Sequence, residues 1–167
     1  MAVRPYTPSV DRGLTLALLE RLFKTPVGTW TAINVGQRVD PPLMRLTRGR
    51  LRVGFIAPTV VLTHTGARSG KRRNTPLLYF TDGDEVVLVA SKGGAASHPA
   101  WYHNVKANPE VEACSDGRPQ PYLAREAAGE ERERLWKLAT TLYDGYDLYQ
   151  EKAREHRTIP VVVLTPR

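Results

Sequence analysis

The sequence predicts an α+β fold whose antiparallel sheet curls into a small barrel, and three observations support this. Short runs rich in Val, Leu, Tyr and Thr recur after residue 59, a hairpin signal joins two of them, and the helical segments are set apart from the strands. Hairpins with segregated helices are typical of α+β folds. The 167 residues are of single-domain size.

The amino-terminal third differs in character from the rest. Residues 10–25 predict an amphipathic basic helix with Asp11 as its N-cap, which either packs on the domain or lies on a membrane surface. Residues 25–42 are rich in turn formers and predict a loop or arm. We therefore divide the chain into an amino-terminal helix and arm, residues 1–42, and a barrel domain, residues 43–167.

Six strands and two further helices are predicted along the barrel domain. The strands are TVVLTHT (59–65), NTPLLYF (74–80), EVVLVAS (85–91), VEACSD (111–116), QPYLARE (120–126) and IPVVVLTP (159–166). The DGDE sequence at 82–85 predicts the turn between the second and third strands. The helices are expected over 98–109, which has a proline near its first turn, and over 129–153.

The net charge of +7 is unevenly distributed. Residues 1–52 hold nine basic and three acidic side chains, and residues 53–76 hold four basic and no acidic ones. This asymmetry suggests a polyanionic partner: nucleic acid, anionic lipid headgroups or a phosphorylated small molecule. The apolar runs are too short to span a bilayer, and no signal-peptide pattern is present. The single cysteine, Cys114, is expected in the core and allows no intrachain disulfide, which suits a reducing compartment. We therefore expect a cytoplasmic protein.

The most basic stretch, LTHTGARSGKRRNTP (62–76), lies between two predicted strands. It is not a Walker A loop, because three residues rather than four separate the glycines and Arg72 follows Lys71. Strand alternation places Lys71 and Arg73 on one face and Arg72 on the other. Arg68 and Arg73 are therefore the candidates for holding a phosphate or carboxylate, the alternative being a solvated hairpin tip.

Two further segments carry chemistry. VASKGGAASHPAWYHNVKANP (89–109) offers a hydroxyl, an ammonium and bare glycine backbone, followed by Trp101 and Tyr102, which predict either an aromatic wall for a flat ligand or core packing. Tyr143, Tyr146 and Tyr149 recur every third residue and are expected on one side of a helix, over a substrate or against the sheet.

Metal and hydrolase chemistry have no support in the sequence. The histidines have no metal-ligand spacing, and no Ser–His–Asp elbow motif is present. No metal site is predicted.

These motifs, in this order, resemble the deazaflavin-dependent nitroreductases, small split-barrel oxidoreductases of actinobacteria that use reduced coenzyme F-420. The resemblance rests on LTHTGARSGKRRNTPLLYF, VASKGGAASHPAWYHNVKANP, YDGYDLYQ and RTIPVVVLTP, which together cover most of residues 59–165. It implies an antiparallel split β-barrel of the flavin-reductase and FMN-binding type with flanking helices. His64 and Leu78 depart from the family pattern and bear on substrate preference.

The resemblance also implies roles for individual residues. The phosphate and oligoglutamate tail of the coenzyme would lie against Arg68, Ser69 and Arg73. The residues expected to bind the coenzyme are Arg68, Ser69, Arg73, Asn74, Thr75, Pro76, Leu77, Leu78, Ala90, Ser91, Lys92, Ala100, Trp101, Tyr102, His103 and Asn104. Tyr143, Tyr146 and Tyr149 would cover the substrate site, with Tyr146 and Ser91 as the catalytic residues.

The expected reaction is hydride transfer from reduced coenzyme F-420 to a quinone, an activated enone or a nitroaromatic compound. One alternative is an FMN-dependent split-barrel reductase, whose cofactor lacks the polyglutamate tail that the basic stretch suits. The other is a non-catalytic basic module that binds membranes or nucleic acid. We expect a small-molecule electron acceptor and no nucleic acid as partner, with peripheral contact at the inner face of the cell membrane through the amino-terminal helix as a further hypothesis.

Overall fold

A computed structural model describes residues 3–8, 58–115 and 117–167. Its strands are β1 (Thr59–Thr65), β2 (Arg72–Asp82), β3 (Glu85–Val89), β4 (Glu110–Cys114), β5 (Gln120–Glu126) and β6 (Val161–Pro166). Its α-helices are α1 (Ala100–Ala107), α2 (Gly129–Leu142) and α3 (Gly145–Ala153), and a single 3-10 turn covers Lys92–Gly94. The predicted helix over 10–25, the predicted arm over 25–42 and the boundary at 42/43 lie outside the described residues.

The six strands form a closed antiparallel barrel in the order β1-β2-β3-β6-β5-β4, with β4 pairing back to β1. This confirms the predicted α+β fold with an antiparallel barrel. The β1–β2 pairing runs from Thr59 opposite Leu78 to Thr65 opposite Arg72, and the β2–β3 hairpin closes at Asp82 opposite Glu85, as the DGDE sequence predicts. β2 is longer than predicted at both ends, because pairing continues up to each turn.

Two apolar cores follow from the alternation of side chains along the strands. The barrel interior is filled by residues such as Leu62, Leu88 and Tyr122, together with Trp101 and Tyr102 of α1. The second core lies outside the barrel, under α2 and α3, and is formed by Phe80, Val87, Val89, Leu135, Ala139, Tyr146, Ile159, Val161 and Val163, among others. The first four residues of β6, Val161–Leu164, are apolar without interruption because both faces of the strand are buried there.

Residues 3–8, which belong to the predicted amino-terminal segment 1–42, lie against the barrel. Val3 is buried in the interior core and its N–H donates to the Tyr122 hydroxyl at 3.1 Å. The backbone N–H of Thr81 donates to the Tyr6 carbonyl at 2.8 Å. Since Thr81 is near the end of β2, this contact lies at the opposite end of that strand from the basic connection.

The prediction of one helix over 129–153 is wrong, because the chain breaks between α2 and α3. Tyr143 has an extended backbone (φ −150°, ψ 107°) and ends α2. A side chain at Gly145 would collide with the Tyr143 ring, so the glycine lets the chain fold back beneath that ring. The three tyrosines therefore do not share one helix face.

Two smaller observations concern Cys114 and membrane crossing. Cys114 is only partly buried, contrary to its expected core position, and its sulfur accepts a hydrogen bond from the Gly117 N–H at 3.1 Å. Among the described residues, no helix has the length and apolar character needed to cross a bilayer.

Candidate functional site

The basic connection, residues 66–71, is a tight turn between β1 and β2. The Gly66 N–H donates to the Lys71 carbonyl at 2.9 Å, and the Gly70 N–H donates to the Gly66 carbonyl at 2.8 Å. Gly70 has φ +63°, a conformation that favours glycine. The turn exposes Arg68 and Ser69 to solvent.

The cations around this connection fall into two groups. The Arg72 guanidinium donates to the Glu112 carboxylate of β4 at 2.7 Å, so its charge is already compensated. Arg68, Lys71 and Arg73 form no ion pair with any described residue. This division agrees with the alternation that separates Arg72 from Arg73. It leaves positive charge at the end of the barrel that no described acidic residue compensates.

Gly66 makes room for two hydrogen-bond donors, the Ser69 hydroxyl and the Arg73 guanidinium. A Cβ at this position would lie 2.5 Å from the Ser69 hydroxyl oxygen and 3.2 Å from Nε of Arg73. A side chain at this position would therefore displace the hydroxyl and crowd the guanidinium. A hydroxyl and guanidinium groups together form a donor set that suits phosphate or carboxylate.

The first half of β2 continues from this connection, with its side chains alternating between the two barrel faces. Asn74 lies beside Thr63, whose hydroxyl donates to the Asn74 amide oxygen at 2.7 Å. Leu77 packs against the interior core. Its neighbours Pro76 and the half-buried Leu78 lie on the opposite face of the strand. The coenzyme-binding roles predicted for residues 74–78 stay predictions.

On α1, the two predicted aromatic residues lie in the interior core. Trp101 and Tyr102 are both buried there, as the core-packing alternative expects. The Tyr102 hydroxyl donates to the Glu126 carboxylate at 2.7 Å, and burial together with this hydrogen bond raises the pKa of Tyr102. Ala100 and His103 are exposed, and Asn104 is buried beneath the basic connection. A wall formed by Trp101 stays a prediction.

The 3-10 turn after β3 packs directly on α3. A Cβ at Gly94 would lie 2.9 Å from the Tyr149 carbonyl oxygen and 3.0 Å from the Lys152 Cβ. Gly94 has φ +78°, and Lys92 adopts φ +48°, which is uncommon for a residue with a side chain. The turn thus brings the Ser91–Gly94 segment against the helix that carries Tyr146 and Tyr149.

The three tyrosines cluster across the α2–α3 break. Their ring centroids are 5.3 Å (Tyr143–Tyr146), 5.9 Å (Tyr143–Tyr149) and 6.5 Å (Tyr146–Tyr149) apart, and the Tyr143 and Tyr149 hydroxyls lie 3.2 Å from each other. Tyr146 is 4% exposed, and no described residue hydrogen-bonds its hydroxyl. Burial raises the pKa of Tyr146, so this hydroxyl stays protonated at neutral pH.

Arg157 is the residue that the sequence analysis missed. It is 8% exposed, and its guanidinium donates to the carbonyl oxygens of Ala90, Ser91 and Ala95 at 3.2, 2.7 and 2.9 Å and to the His98 ring at 3.2 Å. It therefore holds the whole segment between β3 and α1. Its position just before a buried strand was visible in the sequence, but its partners, some 60 residues away, were not.

No group of three or more metal-ligating side chains comes together within residues 3–8, 58–115 and 117–167. The prediction that the chain carries no metal site stays a prediction, since only these residues bear on it.

Comparison with known proteins identifies the family. The family model described as "F420H(2)-dependent quinone reductase" matches residues 37–166. A Mycobacterium tuberculosis protein of that name is 37% identical over 149 residues, covering 84% of this chain and 99% of that protein. The solved structure of an F420-H2 dependent reductase is 47% identical, with a TM-score of 0.58 over 64% of this chain and 93% of that chain.

A second solved structure, described as a domain-swapped dimer, is 40% identical, with a TM-score of 0.61 over 76% of this chain and 96% of that chain. These matches favour coenzyme F-420 over FMN and an enzyme over a binding-only module. The guanidinium groups of Arg68 and Arg73, which pair with no described acidic residue, fit an anionic cofactor tail. The chain belongs to the F420H(2)-dependent quinone reductase family and is an oxidoreductase whose cofactor is coenzyme F-420.

Proposed function

We propose that this enzyme transfers a hydride from reduced coenzyme F-420 to a quinone, and that activated enones and nitroaromatic compounds are further acceptors. The observation that carries the proposal is the contact of Gly94 with Tyr149, which brings the Ser91–Gly94 segment against the tyrosine cluster. The family and relatives that the chain matches are named as quinone reductases.

The residues that would hold the coenzyme follow from charge and exposure. Arg68, Lys71 and Arg73 would bind its phosphate and oligoglutamate tail, because their charges are not compensated by described acidic residues. Backbone along the first half of β2 and the end of β3 would lie beside the ring system. When bound, the reduced coenzyme supplies a hydride from the ring carbon that stands in place of a flavin nitrogen.

The acceptor also needs a proton, and Tyr146 is the group suited to deliver it. A quinone that gains a hydride and one proton becomes a hydroquinone, so the electron pair arrives with the hydride and the proton goes to oxygen. The Tyr146 side chain is 4% exposed and its hydroxyl is protonated, with no hydrogen-bond partner among the described residues. Solvent then restores the proton to Tyr146. Ser91 offers a second hydroxyl that would orient the acceptor oxygen.

Removing the cations in and beside the basic connection is expected to weaken coenzyme binding. Arg68→Gln and Arg73→Gln should each raise the coenzyme Kd about tenfold, because each loses one charge-assisted contact of about 1.4 kcal/mol. Arg72→Gln is the matched control and should leave the Kd within about twofold, since Glu112 already engages this guanidinium. Fluorescence titration at two salt concentrations measures this, and an equal loss in all three variants would contradict the placement.

Tyr146→Phe is expected to lower kcat/KM for menadione about a hundredfold, the usual contribution of a positioned acid, with coenzyme Kd unchanged. Tyr143→Phe, which removes the hydroxyl bonded to Tyr149, should lower it less than about fivefold. Single-turnover oxidation of reduced coenzyme with a quinone, an enone and a nitroaromatic compound checks both variants. If none of these acceptors oxidises the coenzyme on the unmodified enzyme, the proposed reaction is wrong.

Membrane contact belongs to the same proposal, because lipid quinones are found in the bilayer. It rests on the basic amphipathic sequence of residues 10–25, which lie outside the described residues. The full chain is expected to sediment with vesicles containing anionic lipid, and changing Arg12, Arg21 and Lys24 to glutamine should release it. Equal sedimentation of both proteins would count against this contact.

A further inference from the structure

A chain of three hydrogen bonds joins β2, β1, α1 and the basic connection. The Thr75 hydroxyl oxygen lies 3.0 Å from His64 Nε2, and His64 Nδ1 lies 3.2 Å from Asn104 Nδ2. The Ala67 N–H donates to Asn104 Oδ1 at 2.9 Å. His64 is 3% exposed and Asn104 is 9% exposed, so solvent offers these groups little alternative hydrogen bonding.

The direction of each hydrogen bond follows from the one that the Ala67 N–H donates. A backbone N–H can only donate, so Ala67 requires the oxygen of the Asn104 amide, and the amide NH₂ must then face His64. His64 Nδ1 therefore accepts and carries no proton. In the neutral ring the proton is on Nε2, which donates to the Thr75 hydroxyl.

The surroundings keep the His64 ring neutral. Burial and the positive charge of Arg73, which is paired with His64 across the β1–β2 ladder, lower the pKa of His64 to about 4. A proton on Nδ1 would face the Asn104 amide NH₂ and break this series of hydrogen bonds. At neutral pH the Asn104 amide is therefore held in one orientation.

The consequence falls on the basic connection. Its internal hydrogen bonds close the turn on itself, whereas the bond from Ala67 to Asn104 ties it to α1. The oxygen and the nitrogen of the Asn104 amide both bond to the protein. This side chain can therefore influence a bound ligand by holding the basic connection in place. Arg68 lies next to Ala67 in that connection.

We infer that His64 is a positioning residue for the coenzyme: it orients the Asn104 amide and so fixes the basic connection, which carries Arg68 and leads into Arg73 on β2. His64 does not touch the coenzyme itself. This inference rests on the proposed placement of the coenzyme tail at the connection. It gives a role to one of the two residues that depart from the family pattern.

Two polar substitutions separate this role from simple packing. In His64→Asn, the amide oxygen lies close to the position of Nδ1 and can still accept from Asn104. In His64→Gln, the longer side chain places its amide near the position of Nε2, which keeps Thr75 but loses Asn104. We expect His64→Gln to raise the coenzyme Kd about tenfold, the effect of one lost buried hydrogen bond, and His64→Asn to stay within about twofold of the unmodified enzyme.

Two readouts go beyond affinity. The value of kcat at saturating coenzyme should be unchanged in both variants, since the chain of bonds is not part of the tyrosine cluster. The Ala67 amide should exchange with solvent at least about tenfold faster in His64→Gln than in His64→Asn. Ile159→Val, in the outer core, serves as a control that lowers Tm without moving the Kd.

Several results would overturn the inference. Equal Kd values for the two His64 variants would do so, whether both matched the unmodified enzyme or both were raised. Faster Ala67 exchange with no change in Kd would do so as well. The Arg68 and Arg73 variants report separately on where the coenzyme tail binds. If these variants bind the coenzyme normally, the proposed placement of the tail is wrong. The amide exchange of Ala67 still tests whether His64 maintains the bond from Ala67 to Asn104.

Discussion

Arg157→Met is expected to lower the free energy of unfolding by about 3 kcal/mol and to raise the coenzyme Kd at least about tenfold. The methionine would fill similar space but remove the guanidinium donor from the carbonyl oxygens of Ala90, Ser91 and Ala95. The Ser91 carbonyl would keep the Gly94 N–H at 3.0 Å, whereas those of Ala90 and Ala95 would lose their donor. Each buried acceptor left unpaired costs about 1 kcal/mol or more. The loosened segment includes Ser91 and leads into Lys92, both expected at the coenzyme. Urea unfolding and coenzyme titration measure the two effects.

Two companions make this test specific. Arg154→Met removes an exposed guanidinium only three residues earlier, whose ion pair with Glu151 spans 2.9 Å, and should cost less than about 0.5 kcal/mol. The free energy of unfolding of Arg157→Lys should lie between those of Arg157→Met and Arg154→Met. An ammonium keeps the charge but cannot reach three carbonyls at once as the planar guanidinium does. A stability for Arg157→Met equal to that of Arg154→Met would show that the buried hydrogen bonds do not hold the segment.

The barrel was predictable because its signals are local. Each strand shows side chains alternating between two faces, and the DGDE sequence specifies a turn from its own residues. The uninterrupted apolar run at Val161–Leu164 likewise belongs to a strand covered on both sides. The division of charge between Arg72 and Arg73 also followed from alternation alone.

What the sequence did not reveal depends on distant contacts. The helical pattern continues across Tyr143 and Gly145, and the break arises because the Tyr143 ring packs over the glycine backbone. Gly145 was the one local signal of this break. The roles of His64 and Arg157 come from partners between 11 and 67 residues away, which no spacing pattern encodes.

Trp101 and Tyr102 show a different limit of sequence analysis. Large aromatic side chains suit both a ligand wall and a core, so their identity alone leaves two alternatives open. Their burial with the barrel interior was decided by the way α1 packs against β1 and β5. A helix that is held by these side chains provides a rigid base for Asn104, which lies on the same helix.

Gly94→Ala is expected to have the second large effect, a loss of about 3 kcal/mol in the free energy of unfolding and about a hundredfold in kcat/KM. The new Cβ would lie 2.9 Å from the Tyr149 carbonyl oxygen and 3.0 Å from the Tyr149 Cα, closer than real Cβ atoms normally approach. Because the obstacle is backbone, α3 as a whole must move. A displacement of about 1 Å at Tyr146 is enough to cost about a hundredfold in rate.

Gly83→Ala isolates the part of this effect that comes from the contact. Gly83 also has a positive φ, +58° against +78° at Gly94, but nothing lies within 4 Å of its added Cβ. The Gly83→Ala variant should therefore lose only about 1 kcal/mol of its free energy of unfolding, because of backbone strain, and keep its kcat/KM. If stopped-flow kinetics and urea unfolding gave the two variants the same values, the packing of the 3-10 turn on α3 would not be what aligns the tyrosines. A selective loss in Gly94→Ala would instead tie the geometry of acceptor reduction to this single close approach.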